Sequence, residues 1–232
     1  MKIIRITGLI GLTVLLVAAS CKKDKNTSYE RFNLKGKVKT LKENIHTTQQ
    51  IDSVWQAGGI LATTEYFFDE EGINVQNKQY FGSAELFSSS RFTYDKGVLV
   101  REDNSDKNGQ PLYTTTFKKI SDEEMEFERT ISTGEIVTRG KNYIQNNRIV
   151  KSVFTMYSNS QESEVITMTN TYNEKGDIQS RTQSNKSGES LTTYFKYTGF
   201  DQEGNWTTCI TYGKEGEAVP YNYLSREYTY HE

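Results

Sequence analysis

Proline is almost absent from this chain. Pro111 and Pro220 are the only two in 232 residues, so little interrupts an extended ladder. Cysteine is equally scarce, with Cys21 and Cys209 alone, and a disulfide-stapled scaffold is excluded. His46 and His231 are the only histidines and lie near opposite ends of the sequence. A histidine metal site or a Ser-His-acid arrangement would have to be assembled around one of them, and both read better as surface or hairpin residues. Basic blocks are missing too: 28 lysines and arginines face 30 acids, so nucleic acid is not an expected partner. Helical periodicity is not convincing anywhere after residue 21. Residues 121–129 are the one rival, and the alternation of Met125, Phe127 and Arg129 favours a strand.

What is present begins with an address. Lys2 and Arg5 open the chain, an uncharged apolar stretch follows to Val17, and Ala18-Ala19-Ser20 are small. This is the layout of a secretory signal, too short to be a comfortable membrane span. Val17-Ala18-Ala19-Ser20-Cys21 resembles the lipobox of bacterial lipoproteins, with Ala18 where Leu is commoner and Ser20 where Gly or Ala is commoner. The resemblance implies cleavage before Cys21, acylation of that residue, and a lipid bilayer as partner. Several acyl chains give durable anchoring at about 0.8 kcal/mol per buried methylene. The expected organisation is a signal peptide over 1–20, a charged flexible tether over 21–29, and one β-repeat domain over 30–232. Without Lys2 and Arg5 the net charge moves from −2 to about −4.

Along that domain a short phrase recurs: an aromatic, then Asp or Asn, two further residues, then Gly. It reads Phe32-Asn33-Leu34-Lys35-Gly36, Phe68-Asp69-Glu70-Glu71-Gly72, Tyr172-Asn173-Glu174-Lys175-Gly176 and Phe200-Asp201-Gln202-Glu203-Gly204. Tyr94-Asp95-Lys96-Gly97 is one residue shorter. Tyr143 with Asn146-Asn147, Phe117 and Tyr228 are weaker copies. From Phe68 on, the aromatics fall about 23 to 29 residues apart. Second turns lie midway, at Gly82, Asn108-Gly109, Gly134, Asn159, Gly188 and Gly216. One unit is therefore strand, turn, strand, turn. The structural turn residues are Gly36, Gly72, Gly97, Gly176 and Gly204. The fold class is all-β: an antiparallel hairpin meander forming a curved open sheet or roll. A membrane barrel needs lipid-facing apolar bands on every strand, and Leu112-Tyr113-Thr114-Thr115-Thr116 is too polar for that.

The aromatic-Asp-x-x-Gly phrase followed by an apolar residue resembles the YD or RHS repeat. The best copies are Phe200 to Trp206 and Tyr172 to Ile178. The resemblance implies a long meander curling into a shell, here of the size of small repeat-bearing lipoproteins.

Chemistry is sparse. Cys209 reads as a packed apolar residue in the Trp206 strand. Asp122, Glu123, Glu124, Glu126 and Glu128 form the densest acidic run; a glycosidase needs two carboxylates across a cleft, and a solvated strand face explains the run. Asn104-Ser105-Asp106-Lys107-Asn108-Gly109 starts like a calcium loop but lacks a closing Glu, since Thr115 stands there. No cofactor or metal is expected. Aromatics are the binding candidates: Trp55, Trp206, Tyr212, Tyr221 and Tyr223, which stack on sugars or pack on protein partners when exposed. The expectation is a lipid-anchored, non-enzymatic binding or scaffolding module of the bacterial cell envelope, at the outer membrane facing periplasm or cell surface. Its alternatives are a glycan-binding accessory lipoprotein of nutrient uptake, or an envelope hydrolase around Glu124 to Glu128.

Overall fold

The computed structural model describes residues 28–232, the side chains of residues 29 and 30 excepted. The signal segment, Cys21 and most of the tether lie outside these described residues. A single helical turn, α1 (Ser28–Phe32), leads into fourteen strands. They are β1 (Val38–Ile51), β2 (Val54–Phe68), β3 (Asn74–Phe81), β4 (Glu85–Asp95), β5 (Val98–Asp106), β6 (Pro111–Lys119) and β7 (Glu124–Ile131). The second half holds β8 (Ile136–Gln145), β9 (Arg148–Ser158), β10 (Gln161–Tyr172), β11 (Ile178–Asn185), β12 (Ser190–Phe200), β13 (Trp206–Tyr212) and β14 (Asn222–Tyr230). Each strand pairs antiparallel with its neighbours in sequence, and β14 returns to pair with β1. The sheet is thus a closed barrel, which corrects the expected open curve. Closure brings Leu41 opposite Tyr228 and Glu43 opposite Arg226. The Arg226 Nε–Glu43 Oε2 pair, 2.7 Å long, lies across that seam.

The repeated phrase has a local cause. In each long turn the Asp or Asn side chain accepts backbone N–H groups from ahead of it. Asp69 Oδ1 takes those of Glu71 and Ile73. Asn173 Oδ1 takes that of Asp177, and Asp201 Oδ1 that of Asn205. The glycine N–H then donates to the Asx carbonyl at Gly72, Gly176 and Gly204, and these glycines sit at φ 80°, 89° and 85°, where a Cβ is disfavoured. Shorter hairpins turn on two left-handed residues, as at Asn146-Asn147 and Asn159-Ser160, the backbone that matches strand twist.

Tyrosines lock each turn to the next. Tyr94, Tyr172, Tyr197 and Tyr228 hydroxyls donate to the carbonyls of Asn74, Ile149, Ile178 and Trp206 at 2.7–2.9 Å. Every one of those carbonyls lies two residues past a turn Gly or Asn147. A carbonyl freed from the ladder by the turn therefore finds its partner on a neighbouring repeat.

Apolar residues face inward. Phe117, Met125, Phe127, Phe154, Ile166 and Met168 form the larger cluster with Leu99, Ile144 and Ile149. Gly140 makes room there: a Cβ on it would meet Phe154 Cβ at 2.5 Å and Val153 O at 2.6 Å. The outer wall is charged. On β7, Glu124 and Glu126 pair with Lys141, and Glu128 pairs with Arg139.

The segment Phe32-Asn33-Leu34-Lys35-Gly36 departs from expectation. It is no hairpin turn, and the tether does not extend to residue 29, because α1 already docks at Ser28. The segment instead plugs the rim where the Asx turns gather. Phe32 packs edge-on against Tyr66 and Phe68, at 5.0 and 5.7 Å between centroids. Ser28 Oγ accepts the Asn74 N–H. Asn33 Nδ2 donates to Asp177 Oδ1, and Asn33 Oδ1 accepts from Arg148. Asn205 exchanges two hydrogen bonds with the Lys35 backbone. Polar turns on three hairpins, together with Phe68 and Tyr66, close this end of the barrel.

Candidate functional site

The opposite rim gathers four of the five candidate aromatics. β1 and β2 are the longest strands, and their pairing is irregular around His46. The hairpin tip reaches β14, where the Tyr223 hydroxyl donates to the Trp55 carbonyl at 2.6 Å across 168 residues of sequence. Tyr212, at the end of β13, neighbours Tyr223. Burial first and Tyr212 second raise the Tyr223 phenol above its ordinary range. Tyr221 stands in the β13–β14 connection with its N–H on the Thr211 carbonyl and is 56% exposed. Trp55, Tyr212 and Tyr223 are half-buried. A lip of aromatic edges and hydroxyls thus lines this rim, with Trp55, Tyr212 and Tyr223 carried on strands. Apolar Val54, Phe81 and Phe87 are also exposed toward this rim, the last two with ring centroids 4.7 Å apart.

Trp206 is not part of this lip. It is 8% exposed, with the Arg226 guanidinium 3.7 Å over its ring and Tyr197 beside it. The irregular pairing of β12 with β13 around Gly199 shifts the strand's phase and turns the indole inward. It fills the core near the plugged end, which corrects its reading as a binding residue.

The other sequence candidates are placed clearly. His46 bonds Gly58 O and Ser225 Oγ, while His231 bonds Phe68 O at the opposite rim, so the two are apart and each is tied to a structural partner. Cys209 is fully buried, and burial pushes its thiol up to about 12, which removes the nucleophilic form at neutral pH. Asp106 Oδ1 accepts the N–H groups of Asn108 and Gln110; it is spent as a turn residue, not aimed at a cation. Glu124, Glu126 and Glu128 lie on a convex outer wall in ion pairs, not across a cleft. Among the described residues no group of three or more His, Cys, Asp or Glu is placed to hold a metal ion.

Sequence reasoning missed the polar inner wall. Ser90, Glu102, Asn104, Thr115, Asn142, Ser152 and Asn170 are all buried, at inward positions where a packed core would carry apolar groups. Arg129 reaches Glu102 there at 3.5 Å. Arg181 donates through Nε to Asn170 Oδ1, and burial lowers its pKa. The signal that could have found this wall is the inward phase of β4 and β5, which carries Ser88, Ser90, Glu102 and Asn104.

No protein-family model and no curated protein matches the sequence. Among solved structures the chain is similar to a porin-like protein from Bacteroides uniformis, at 15% identity and TM-score 0.43, over 83% of this chain and 97% of that one. A porin-like protein from Bacteroides vulgatus shows 10% identity and the same TM-score, over 83% and 98%. A complex described as TcdB2-TccC3-Cdc42 matches at 10% identity and TM-score 0.22, over 72% of this chain and 12% of that one.

Proposed function

We propose that this protein is a lipid-anchored component of the bacterial cell envelope, acylated at Cys21, whose barrel presents the aromatic lip at its open rim as a non-enzymatic binding surface. The observation that carries the reading is that Trp55 is brought across 168 residues of sequence onto one border with Tyr212, Tyr221 and Tyr223. Rigid aromatics at a mouth supply contact area at low entropic cost. In this reading the barrel is a YD/RHS-like repeat shell held at the outer membrane, facing periplasm or surface, and does not itself cross the bilayer. Support for the last point is the placement of charge. Glu126, Glu128, Arg139 and Lys141 point outward mid-strand, and a basic residue facing hydrocarbon at the midplane costs about 2–4 kcal/mol. The larger apolar cluster, with Phe117, Met125, Phe127 and Phe154, lies inside and not on the outer wall.

A glycan is the favoured occupant of the lip, since tyrosine and tryptophan faces stack on sugar rings while their hydroxyls bond them. A glycan array probed with the purified protein tests this. One polysaccharide class is expected to bind, with signal lost in the Trp55→Ala/Tyr221→Ala double variant. Flat binding across the array removes the glycan reading. The anchor has its own test: Cys21→Ala is expected to move the protein to the soluble fraction and abolish acyl labelling, and unchanged retention and labelling would refute it.

A further inference from the structure

The inner wall of the barrel is not sealed evenly. On β10, Ile166 and Met168 belong to the larger core cluster, and Asn170 is buried in the same phase. β11 sets Asn185, Gln183 and Arg181 opposite these three. Cross-strand partners share a face, so all three point inward. Thr193 of β12 lies opposite Arg181, Phe195 opposite the buried Thr211, and Leu224 opposite the buried Cys209. Arg181, Gln183, Asn185, Thr193, Phe195 and Leu224 are all half-buried. The wall from β6 to β9 differs: its inward Thr115, Asn142, Ser152 and Phe154 are buried. An inward side chain meets solvent only through space within the barrel. A cleft therefore follows β11 and β12 down from the open rim, where β11 ends at Asn185. It reaches Arg181 four residues lower, about 13 Å along the strand.

Arg181 ends this cleft with donors to spare. Asn170 Oδ1 holds its Nε at 2.9 Å and so orients the guanidinium. Nη1 and Nη2 have no protein partner among the described residues, yet neither is sealed from solvent. The Gln183 amide, nearer the mouth, and the Thr193 hydroxyl, across the ladder, are likewise without a side-chain hydrogen bond. Charge at this depth favours an anion. Burial lowers the Arg181 pKa first, and the Tyr172 phenol and then Glu43 act against it. Glu43 is already committed to Arg226 at 2.7 Å. Arg31 of α1 adds another guanidinium, its Nε enclosed and unpartnered. Tyr66 lies within electrostatic reach of Arg31, Arg181, Arg226 and Glu43, so these four share one region. A buried cation without a counterion is expensive. A neutral sugar would leave the Arg181 charge unanswered, and a cation would add to it. A carboxylate takes two parallel N–H bonds from an end-on guanidinium, and hydroxyls beside it reach Gln183 and Thr193.

We propose that Arg181 is the floor of a binding site for a small organic anion, which enters along the β11–β12 cleft and sets its carboxylate end-on against Nη1 and Nη2. It does not rest on the lip reading. The experiment is calorimetry and saturation-transfer NMR on the full chain. Lactate, glucuronate and galacturonate are the carboxylate probes, inorganic phosphate is the other oxyanion, and glucose and glucosamine are the uncharged and cationic counterparts. A carboxylate probe binds, and its affinity falls at least tenfold in Arg181→Gln. It falls as far in Arg181→Lys, which keeps the charge but not the fork, while Trp55→Ala leaves it unchanged. Gln183→Trp breaks no side-chain hydrogen bond and fills the approach, so it too lowers the affinity at least tenfold, and it keeps the test intact if the Arg181 variants fail to fold. The proposal is overturned if no carboxylate probe binds the folded chain, or if glucose or glucosamine binds as tightly. It is overturned as well if phosphate binds more tightly than every carboxylate, or if binding survives Arg181→Gln or Gln183→Trp.

Discussion

At the residue scale, glycines that look alike in the sequence do unlike work. Gly109 and Gly176 both close Asx turns with φ near 80–89°, so each substitution carries the strain of a left-handed Cβ, about 1 kcal/mol. Around Gly109 nothing lies within 4 Å of an added Cβ, whereas at Gly176 it would run into the Arg148 guanidinium. Arg148 packs over Tyr172 and donates to Asn33 of the plug. Gly176→Ala must therefore displace Arg148 and loosen a contact that Gly109→Ala never touches. Thermal melts of the two variants are expected to show Gly176→Ala less stable by at least about 1 kcal/mol; equal melting temperatures would mean that Arg148 moves aside freely.

At the scale of elements, hairpins were legible in the sequence because everything that makes them is local. The Asx oxygen, the N–H groups it holds and the left-handed glycine all fall within five residues, so the phrase at Asp69, Asn173 or Asp201 declares its own geometry. The plug shares the phrase but not its meaning. Asn33 and Gly36 do adopt positive φ, yet Asp177, which Asn33 bonds, and Asn205, which Lys35 bonds, are remote in sequence, and no short-range pattern announces them. The lip was half legible. Aromatic density pointed to Tyr212, Tyr221 and Tyr223, but residue type does not reveal phase, and the irregularity near Gly199 put Trp206 inside. The inner wall was legible only through the alternation of β4 and β5, whose inward positions carry Ser88, Ser90, Glu102 and Asn104. If polar bonds hold the plug, Asn205→Ala removes its bonds to the Lys35 backbone and to the Tyr230 hydroxyl. Amide hydrogen exchange over residues 28–36 is then expected to rise at least tenfold while β5 to β10 keep their protection. Protection lost everywhere at once would show that plug and barrel unfold as one unit.

At the scale of the whole molecule, closure encloses many phenols and one thiol. Burial is the first cause of the shift at each: Tyr113, Tyr228 and Cys209 are pushed up to about 12, and Tyr66 and Tyr197 rise further. Their ordinary values are 10.0 for the phenols and 9.0 for the thiol. A pKa raised in the folded state means that the native barrel holds protons the unfolded chain gives up. The associated stability is complete below pH 9 and drains away as pH climbs from the unfolded values toward 12. Several groups share that window, so the loss is steep. The melting temperature is expected to hold level from pH 7 to 9 and then fall by on the order of 10 °C by pH 11. The tyrosinate absorbance of the enclosed Tyr66, Tyr113, Tyr197 and Tyr228, read as the difference from their Phe variants, should rise together with loss of the strand signal, not before it. Alkylation of Cys209 gives an independent readout, because a thiol at about 12 has a thiolate fraction about a thousandfold below an ordinary one. At pH 8 it should label only under denaturant. If Tyr66, Tyr113, Tyr197 or Tyr228 titrates near 10 in a barrel still showing full strand signal, water already fills the interior, and the inward packing on which closure depends would have to be redrawn.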